Sequence, residues 1–433
     1  MRLSPISRAA GAVAMVAMLA ACTNNSSTTS SGTSSTTTTS GTSSAGPSAA
    51  PGGASAQTIK IGVDLPVSGA DASIGIPTQN GAVMAVEEAN KNGFAGGKFK
   101  LETSLLDDAV QGKHDPAQGA QNVKTFIADS SVLAMVGPFN SNVAKSEIPL
   151  TNDAGLVQIA PSTTNDGLTI GDDAKKLRTA HPDTNTFFRV CTRDSRQGTT
   201  LAQIAAQRLG FKRVFIIDDN ETYGKGLADV FEASFKQLGG TTLGHEHTTA
   251  NQQDFKALLT KAASLKPDVV FYGGTTSTGG GLVRKQMADA GLGKIPYLGG
   301  DGISDDEFEK VAGDSANGAY MTTAAPDADK LPSAKTFVQA YKARFNGDVG
   351  PYSANAYAAA KIEIAAIEKA ISDNGGKMPT RADVLKYVAA TKSFDSPIGK
   401  IGFDPNGDTT APILTLFQVK GGKRVTVATI PVT

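Results

Sequence analysis

Residues 132–165 read VLAMVGPFNSNVAKSEIPLTNDAGLVQIAPSTTN, and this stretch decides the fold. Val132–Val136 is an unbroken apolar run of strand length, the pattern of a strand covered on both faces. Gly137 and Pro138 break it, and Ser141–Asp153 follows as a helix. Leu156–Ile159 is a second apolar strand, ending in the hydroxyl-rich loop Ala160-Pro-Ser-Thr-Thr-Asn165. Strand, helix and strand in close succession form a parallel βαβ unit.

The same rhythm extends in both directions. Before it, Ile59–Leu65 is a strand, and Gln79–Asn92 carries Ala82, Val83, Val86 and Ala89 at helical spacing, closed by Gly93. Phe99–Leu106 is a strand, and Asp115-Pro116 supplies an N-cap and first-turn proline for a helix through Ala128. A loop-rich break covers residues 161–183. The pattern restarts with strand Val214–Ile217, helix Gly224–Leu238, strand Thr241–His245, helix Asp254–Leu265, strand Asp268–Tyr272, helix Gly281–Ala290 and strand Tyr297–Leu298. Helix-rich sequence from Ala334 to Ala390 and β-like segments near Ile398–Phe403, Ile413–Val419 and Arg424–Ile430 complete the chain. Two βα series predict an α/β protein with two doubly wound parallel-sheet lobes.

Composition narrows the function. The chain has 433 residues, too many for one ordinary core at about 150 residues per domain. With 41 Lys+Arg against 41 Asp+Glu, it lacks the basic excess of a nucleic-acid binder. Two cysteines make no disulfide framework.

The first residues read as an export signal. Arg2 and Arg8 precede an apolar run, Ala9 to Ala21, too short for the roughly 20 residues of a membrane span. Leu19-Ala20-Ala21-Cys22 resembles the lipobox of bacterial lipoproteins, which implies removal of residues 1–21 and lipidation of Cys22; a plain signal peptide is the alternative. Thr23 to Ala56 follows, 34 residues of which 20 are Ser or Thr and none is charged. Such a segment buries too little to offset its conformational entropy, so residues 22–57 read as a lipidated cysteine and a flexible tether. The expected location is the outer face of the cell membrane.

Enzyme signatures are missing. No G-x-G-x-x-G follows the first strand, no phosphate loop with Lys is present, and Gly273–Gly281 reads as a plain strand-to-helix loop. His245-Glu-His247 places two imidazoles on one side of a strand, with no third ligand nearby in sequence, so no metal site is expected. Cys191 reads as a packed thiol. Asp107-Asp108 and Asp305-Asp306 read as caps and solvated loop ends. No cofactor is expected.

The loops at the carboxyl ends of the strands instead suit a zwitterion. Gly137-Pro-Phe-Asn-Ser141 opens a helix whose first N–H groups attract a carboxylate, and Ser162, Thr163 and Thr164 line the next strand end. Gly299-Gly-Asp301-Gly302 offers one acid for an ammonium group, flanked by glycines that permit close approach, and Tyr223 adds an aromatic at another strand end. Capping and turn formation are the plain alternatives for these residues.

Taken in order, Ile59-Lys-Ile-Gly-Val, Gly137-Pro-Phe-Asn-Ser-Asn, Ala160-Pro-Ser-Thr-Thr-Asn, Tyr223-Gly-Lys-Gly-Leu, Phe271-Tyr-Gly-Gly and Gly299-Gly-Asp-Gly resemble the periplasmic leucine/isoleucine/valine-binding proteins. These are type 1 solute-binding proteins of ABC importers. The resemblance implies lobe 1 from residues 58–191 plus 325–414 and lobe 2 from residues 192–324 plus 415–433. The three-crossing hinge would lie near Cys191–Asp194, Thr323–Pro326 and Leu414–Thr415. It implies a carboxylate held by Ser141, Ser162, Thr163 and Thr164, an ammonium held by Asp301, and Tyr223 in the pocket. Ile74 and Thr275 stand where better-known members carry aromatics, which leaves a larger or more polar pocket. Asn140 stands at a position that is cysteine in some relatives.

The expected protein is a monomeric, lipid-anchored binder of a small molecule, by resemblance a branched-chain-like amino acid, which it delivers to an ABC permease. A binder of an amide or urea, a sensory receptor of the same fold, and a secreted α/β enzyme remain the alternatives.

Overall fold

A computed structural model describes residues 56–249 and 251–432; the expected signal segment, Cys22 and nearly all of the tether lie outside them. The first lobe is built on β1 (Gln57–Leu65), α1 (Ala72–Lys91), β2 (Phe99–Asp107), α2 (Pro116–Ala128), β3 (Val132–Val136), α3 (Ser141–Ala154), β4 (Val157–Ala160) and β5 (Phe187–Arg189). Its five strands lie in the order β2-β1-β3-β4-β5, all parallel. β3 and β4 are buried at every position, as their unbroken apolar runs require.

The second lobe continues with α4 (Asp194–Gln203), β6 (Arg213–Asp218), α5 (Thr222–Gln237), β7 (Thr241–His247), α6 (Lys256–Leu265), β8 (Val269–Gly273), α7 (Gly280–Gln286), β9 (Tyr297–Gly299) and β10 (Tyr320–Thr323). The chain then contributes α8 (Lys335–Phe345) and α9 (Ser353–Asp373) to the first lobe's core, before β11 (Ile413–Lys420) and β12 (Lys423–Pro431) extend the second sheet. That sheet has the order β12-β11-β10-β9-β8-β6-β7; β11 runs antiparallel to both its neighbours and all other pairs are parallel. α9 crosses α1 so closely that a Cβ on Gly81 would sit 2.0 Å from the Ser353 carbonyl oxygen. Among the described residues no helix is long and apolar enough to cross a membrane.

Side-chain and backbone hydrogen bonds tie the three connections between the sheets together. The Thr192 N–H donates to Ala324 O at 2.9 Å and its hydroxyl to Ile413 O at 2.8 Å. The Thr415 hydroxyl donates to Ala325 O at 2.9 Å. Narrow, mutually bonded crossings of this kind let two lobes rotate without unfolding either.

Several short elements escape the sequence reading, among them β5, β10 and α4. β5 and β10 are too short for a periodic signal, and α4 (DSRQGTTLAQ) has almost no apolar residues to show one. Asp108 corrects another expectation. It is fully buried beside Asp64 and Glu147, and neither of its carboxylate oxygens has a hydrogen-bond partner. Asp305 does act as a helix cap, accepting from Phe308 N at 2.9 Å, whereas Asp107 ends β2 and holds loop nitrogens, accepting from Val67 N at 3.0 Å and Ala109 N at 2.9 Å.

These buried acids set a pH dependence. Burial pushes Asp64 and Asp305 up to about 6 and Asp219 up to about 7, from an ordinary 3.8. A carboxyl raised in the folded state contributes stability in full below about pH 3.8, and that contribution is lost as pH rises through its folded value. The melting temperature should therefore fall between pH 5 and pH 8, by roughly 2 °C per kcal/mol lost at this size. Differential scanning calorimetry across that range checks this; a melting temperature that rises from pH 5 to pH 8 would contradict it.

Candidate functional site

The carboxyl ends of the two sheets face each other across a narrow cavity with about 10 Å³ of free space. Phe139, Asn140, Ser141, Ser162 and Thr164 line it from the first lobe, and Tyr223, Thr275, Asp301 and Gly302 from the second. A larger hollow of about 300 Å³, lined by Glu88, Phe337, Tyr357 and Phe394, lies on the first lobe and draws on none of the strand-end loops.

The first-lobe wall is a hydrogen-bonding surface. Ser141 begins α3, whose N-cap residue Asn140 makes no side-chain cap bond; Val143 N donates to Asn142 Oδ1 at 2.9 Å, and the N–H groups of Ser141 and Asn142 are left for a guest anion. Asn140 Oδ1 is itself buried without a partner. The Ser162 hydroxyl donates to Phe139 O at 2.9 Å, pinning the two loops together. Behind them Arg189, fully buried, donates to Asp408 Oδ1 at 2.6 Å and to the carbonyls of Thr163 and Asn165 at 3.0 and 2.8 Å. Arg189 positions the hydroxyl loop. No feature of its sequence neighbourhood marks it, because its partner Asp408 lies far along the chain.

Asp301 dominates the second-lobe wall. Its Oδ1 accepts from Gln197 Nε2 at 2.7 Å and Tyr223 OH at 2.8 Å, and its Oδ2 accepts from Tyr352 OH at 2.7 Å. All three donors are neutral, and among the described residues no Lys, Arg or His forms an ion pair with this carboxylate. Burial raises its pKa, opposed by the hydrogen bonds from Tyr352, Gln197 and Tyr223. A buried carboxylate so held still lacks a counter-charge. Tyr352 also accepts from Ala324 N at 3.0 Å, which joins Asp301 to the crossing between the lobes. Gln197 and Tyr352 were invisible in the sequence reading, because neither sits in a strand-end loop.

The glycines around Asp301 serve a different purpose from the one expected. A Cβ on Gly302 would lie 2.5 Å from Gly274 O and 2.7 Å from the Tyr223 ring. They admit Tyr223 and the neighbouring loop rather than the guest. Tyr223 OH in turn accepts from Gly302 N at 2.9 Å.

Two expected residues are not brought to the cavity. Ile74 packs in the first lobe's hydrophobic core, on the buried side of α1. The Thr163 side chain is buried away from the cavity, and only its carbonyl takes part, accepting from Arg189 and from Cys191 Sγ at 3.2 Å. Cys191 is a buried thiol whose pKa burial pushes up.

The lobes touch beside the cavity. His114, on a short hairpin of the first lobe, faces Asp71 Oδ2 at 2.7 Å through Nδ1 and Glu221 Oε2 of the second lobe at 2.9 Å through Nε2. Asn142 Nδ2 donates to the same Glu221 oxygen at 2.9 Å, and Asn165 Nδ2 to Thr222 O at 2.8 Å. Burial alone would lower the His114 pKa, but the Asp71 carboxylate raises it well above the ordinary value. The arrangement is that of a closed cleft.

The expectation that His245 and His247 lack a third ligand is also corrected. Asp218 ends the neighbouring strand β6, opposite His247 in register, and its carboxylate oxygens lie 2.7 Å from His245 Nε2 and 2.9 Å from His247 Nδ1. Strand pairing joins residues that sequence spacing keeps apart.

Residues 58–423 match the family described as periplasmic binding protein. The chain belongs to that family. This periplasmic binding protein is 34% identical over 372 residues to Leu/Ile/Val-binding protein homolog 3 of Brucella melitensis, covering 86% of this chain and 94% of the relative. The substrate-binding protein LivJ of Streptococcus pneumoniae, solved with isoleucine, matches with a TM-score of 0.74 at 28% identity, over 87% of this chain and 99% of LivJ. The leucine-binding protein LivK of Thermotoga maritima matches with a TM-score of 0.74 at 27% identity, over 86% of this chain and 98% of LivK. The doubly wound two-lobe architecture is the one shared with these type 1 binding proteins.

Proposed function

We propose that this periplasmic binding protein captures an amino acid with a branched apolar side chain and delivers it to the permease of an ABC importer. The observation that carries this reading is Asp301, a buried carboxylate on the cavity wall with three neutral donors and no cation. A guest ammonium completes it through a charge-assisted bond. Across the cavity, the N-terminus of α3 and the hydroxyls of Ser141 and Thr164 receive the guest carboxylate, while Ser162, bonded to Phe139 O, shapes the wall between them. Phe139, Tyr223 and Thr275 remain to enclose the side chain. The named specificities of the relatives support the same class of guest.

The work done is binding and release rather than turnover. Lobe 1 (residues 58–191 and 325–414) and lobe 2 (residues 192–324 and 415–433) close on the guest as a monomer, and the permease reads the closed form. Lipid on Cys22 and the Ser/Thr-rich tether hold the body at the outer face of the membrane within reach of that permease.

Two experiments test this. Asp301→Asn keeps the shape and removes the charge, so isoleucine affinity in calorimetric titration should fall by about 2–4 kcal/mol, roughly 30- to 1000-fold. Undiminished affinity in a folded variant removes Asp301 from the site, and tight binding of urea or acetamide by the wild type favours a neutral guest instead. Cys22→Ser should release the protein from the membrane fraction into the soluble one. Unchanged membrane partition of that variant contradicts the anchor.

A further inference from the structure

The cluster at the free edge of the second sheet is separate from the cleft chemistry. His245 and His247 point to the same side of β7, which is the last strand of the sheet, with ring centroids 5.1 Å apart. Asp218 meets both from β6, and one ligand atom from each of the three residues falls within 4.8 Å of the others. On the far side of the His245 ring, Nδ1 lies 3.0 Å from Glu232 Oε2 of α5, while Glu232 Oε1 is held by Lys236 at 2.7 Å.

That second contact sets two carboxylates on opposite sides of one imidazole. When Nδ1–H of His245 donates to Glu232, Nε2 carries the lone pair, and it faces a carboxylate oxygen at 2.7 Å. Two lone pairs so close repel unless a positive charge lies between them. A proton satisfies one such pair. A metal ion satisfies Asp218 and both imidazoles at once, with the carboxylate–histidine–metal relay of Glu232 behind it.

We propose that Asp218, His245 and His247 form a binding site for a first-row divalent transition-metal ion, with Glu232 as the positioning residue of His245. Two imidazoles and one carboxylate are the donor set of zinc sites that keep their fourth position open to water. His247, whose side chain is 47% exposed, leaves an entry path from solvent. Tetrahedral bonds of ~2.0–2.1 Å set ligand atoms about 3.3 Å apart. The imidazole nitrogens stand 2.7–2.9 Å from Asp218 and the three ligand atoms lie within 4.8 Å of one another, so the carboxylate moves outward and the imidazoles converge to take up an ion. Of the chain's four histidines, His114 is buried between carboxylates at the lobe interface, and His181 stands apart.

The test uses the exported protein without a polyhistidine tag, titrated with Zn²⁺ by calorimetry. The wild type should bind one Zn²⁺ per chain. His247→Gln, a change at a half-exposed position, should weaken that binding at least about tenfold, as should Glu232→Gln, in the range seen for partners behind a metal ligand. His181→Gln should leave it unchanged, and Co²⁺ should give the visible absorption of a tetrahedral complex in the wild type but not in the His245→Gln/His247→Gln double variant. Isoleucine titration of each variant reports its fold and its cleft independently. Zn²⁺ binding that is absent at millimolar metal, or equal in wild type and double variant, overturns the site whatever the amino-acid result.

Discussion

The closed cleft depends on a buried negative charge that the protein does not neutralise with its own cations. Asp301 sits in the wall of the cavity, and Gln197, Tyr223 and Tyr352 offer it three neutral hydrogen bonds. Such donors orient a carboxylate and leave its net charge in place. Without a guest, a proton is the available remedy, which is why burial raises the group's pKa. An ammonium ion is the other. Because Tyr352 comes from the first lobe's side of the crossings and Asp301 from the second lobe, whatever completes this charge also holds the two lobes together.

The remainder of the structure prepares that meeting. Parallel βα units aim two sets of strand-end loops at a common gap. Arg189 and Asp408, paired inside the first lobe, hold the carbonyls of the hydroxyl loop so that Ser162 and Thr164 face the cavity. Glycines around Asp301 let Tyr223 close over it. The Thr192, Ala324, Ile413 and Thr415 contacts keep the crossings narrow. The His114–Glu221 contact then bridges the lobes beside the cavity. Each of these parts is ordinary; their convergence on one cavity makes the site.

Much of this was legible in the chain. Long apolar runs such as Val132–Val136, and helices with clear caps such as that after Asp115, announced themselves by period and punctuation. So did the strand-end motifs that carry Ser141, Ser162, Tyr223 and Asp301, all of which reach the cavity. What stayed hidden depends on contacts between distant residues. Tyr352, in the turn before α9, and Gln197, on α4, complete Asp301 from segments without a motif, and Arg189 lies in a strand of three residues. Thr163 and Ile74 had suitable positions, but alternation along the loop and the buried side of α1 turned them inward. Asp218 joins the two histidines of β7 only through strand register.

The central claim is that a guest closes the lobes by completing the charge of Asp301. Small-angle X-ray scattering of the exported protein, in buffer and with saturating isoleucine, tests it most directly. Closure by the guest predicts a smaller radius of gyration with isoleucine and a scattering profile matching the closed structure described above. An unchanged radius of gyration at isoleucine concentrations shown by calorimetry to saturate the protein would contradict it.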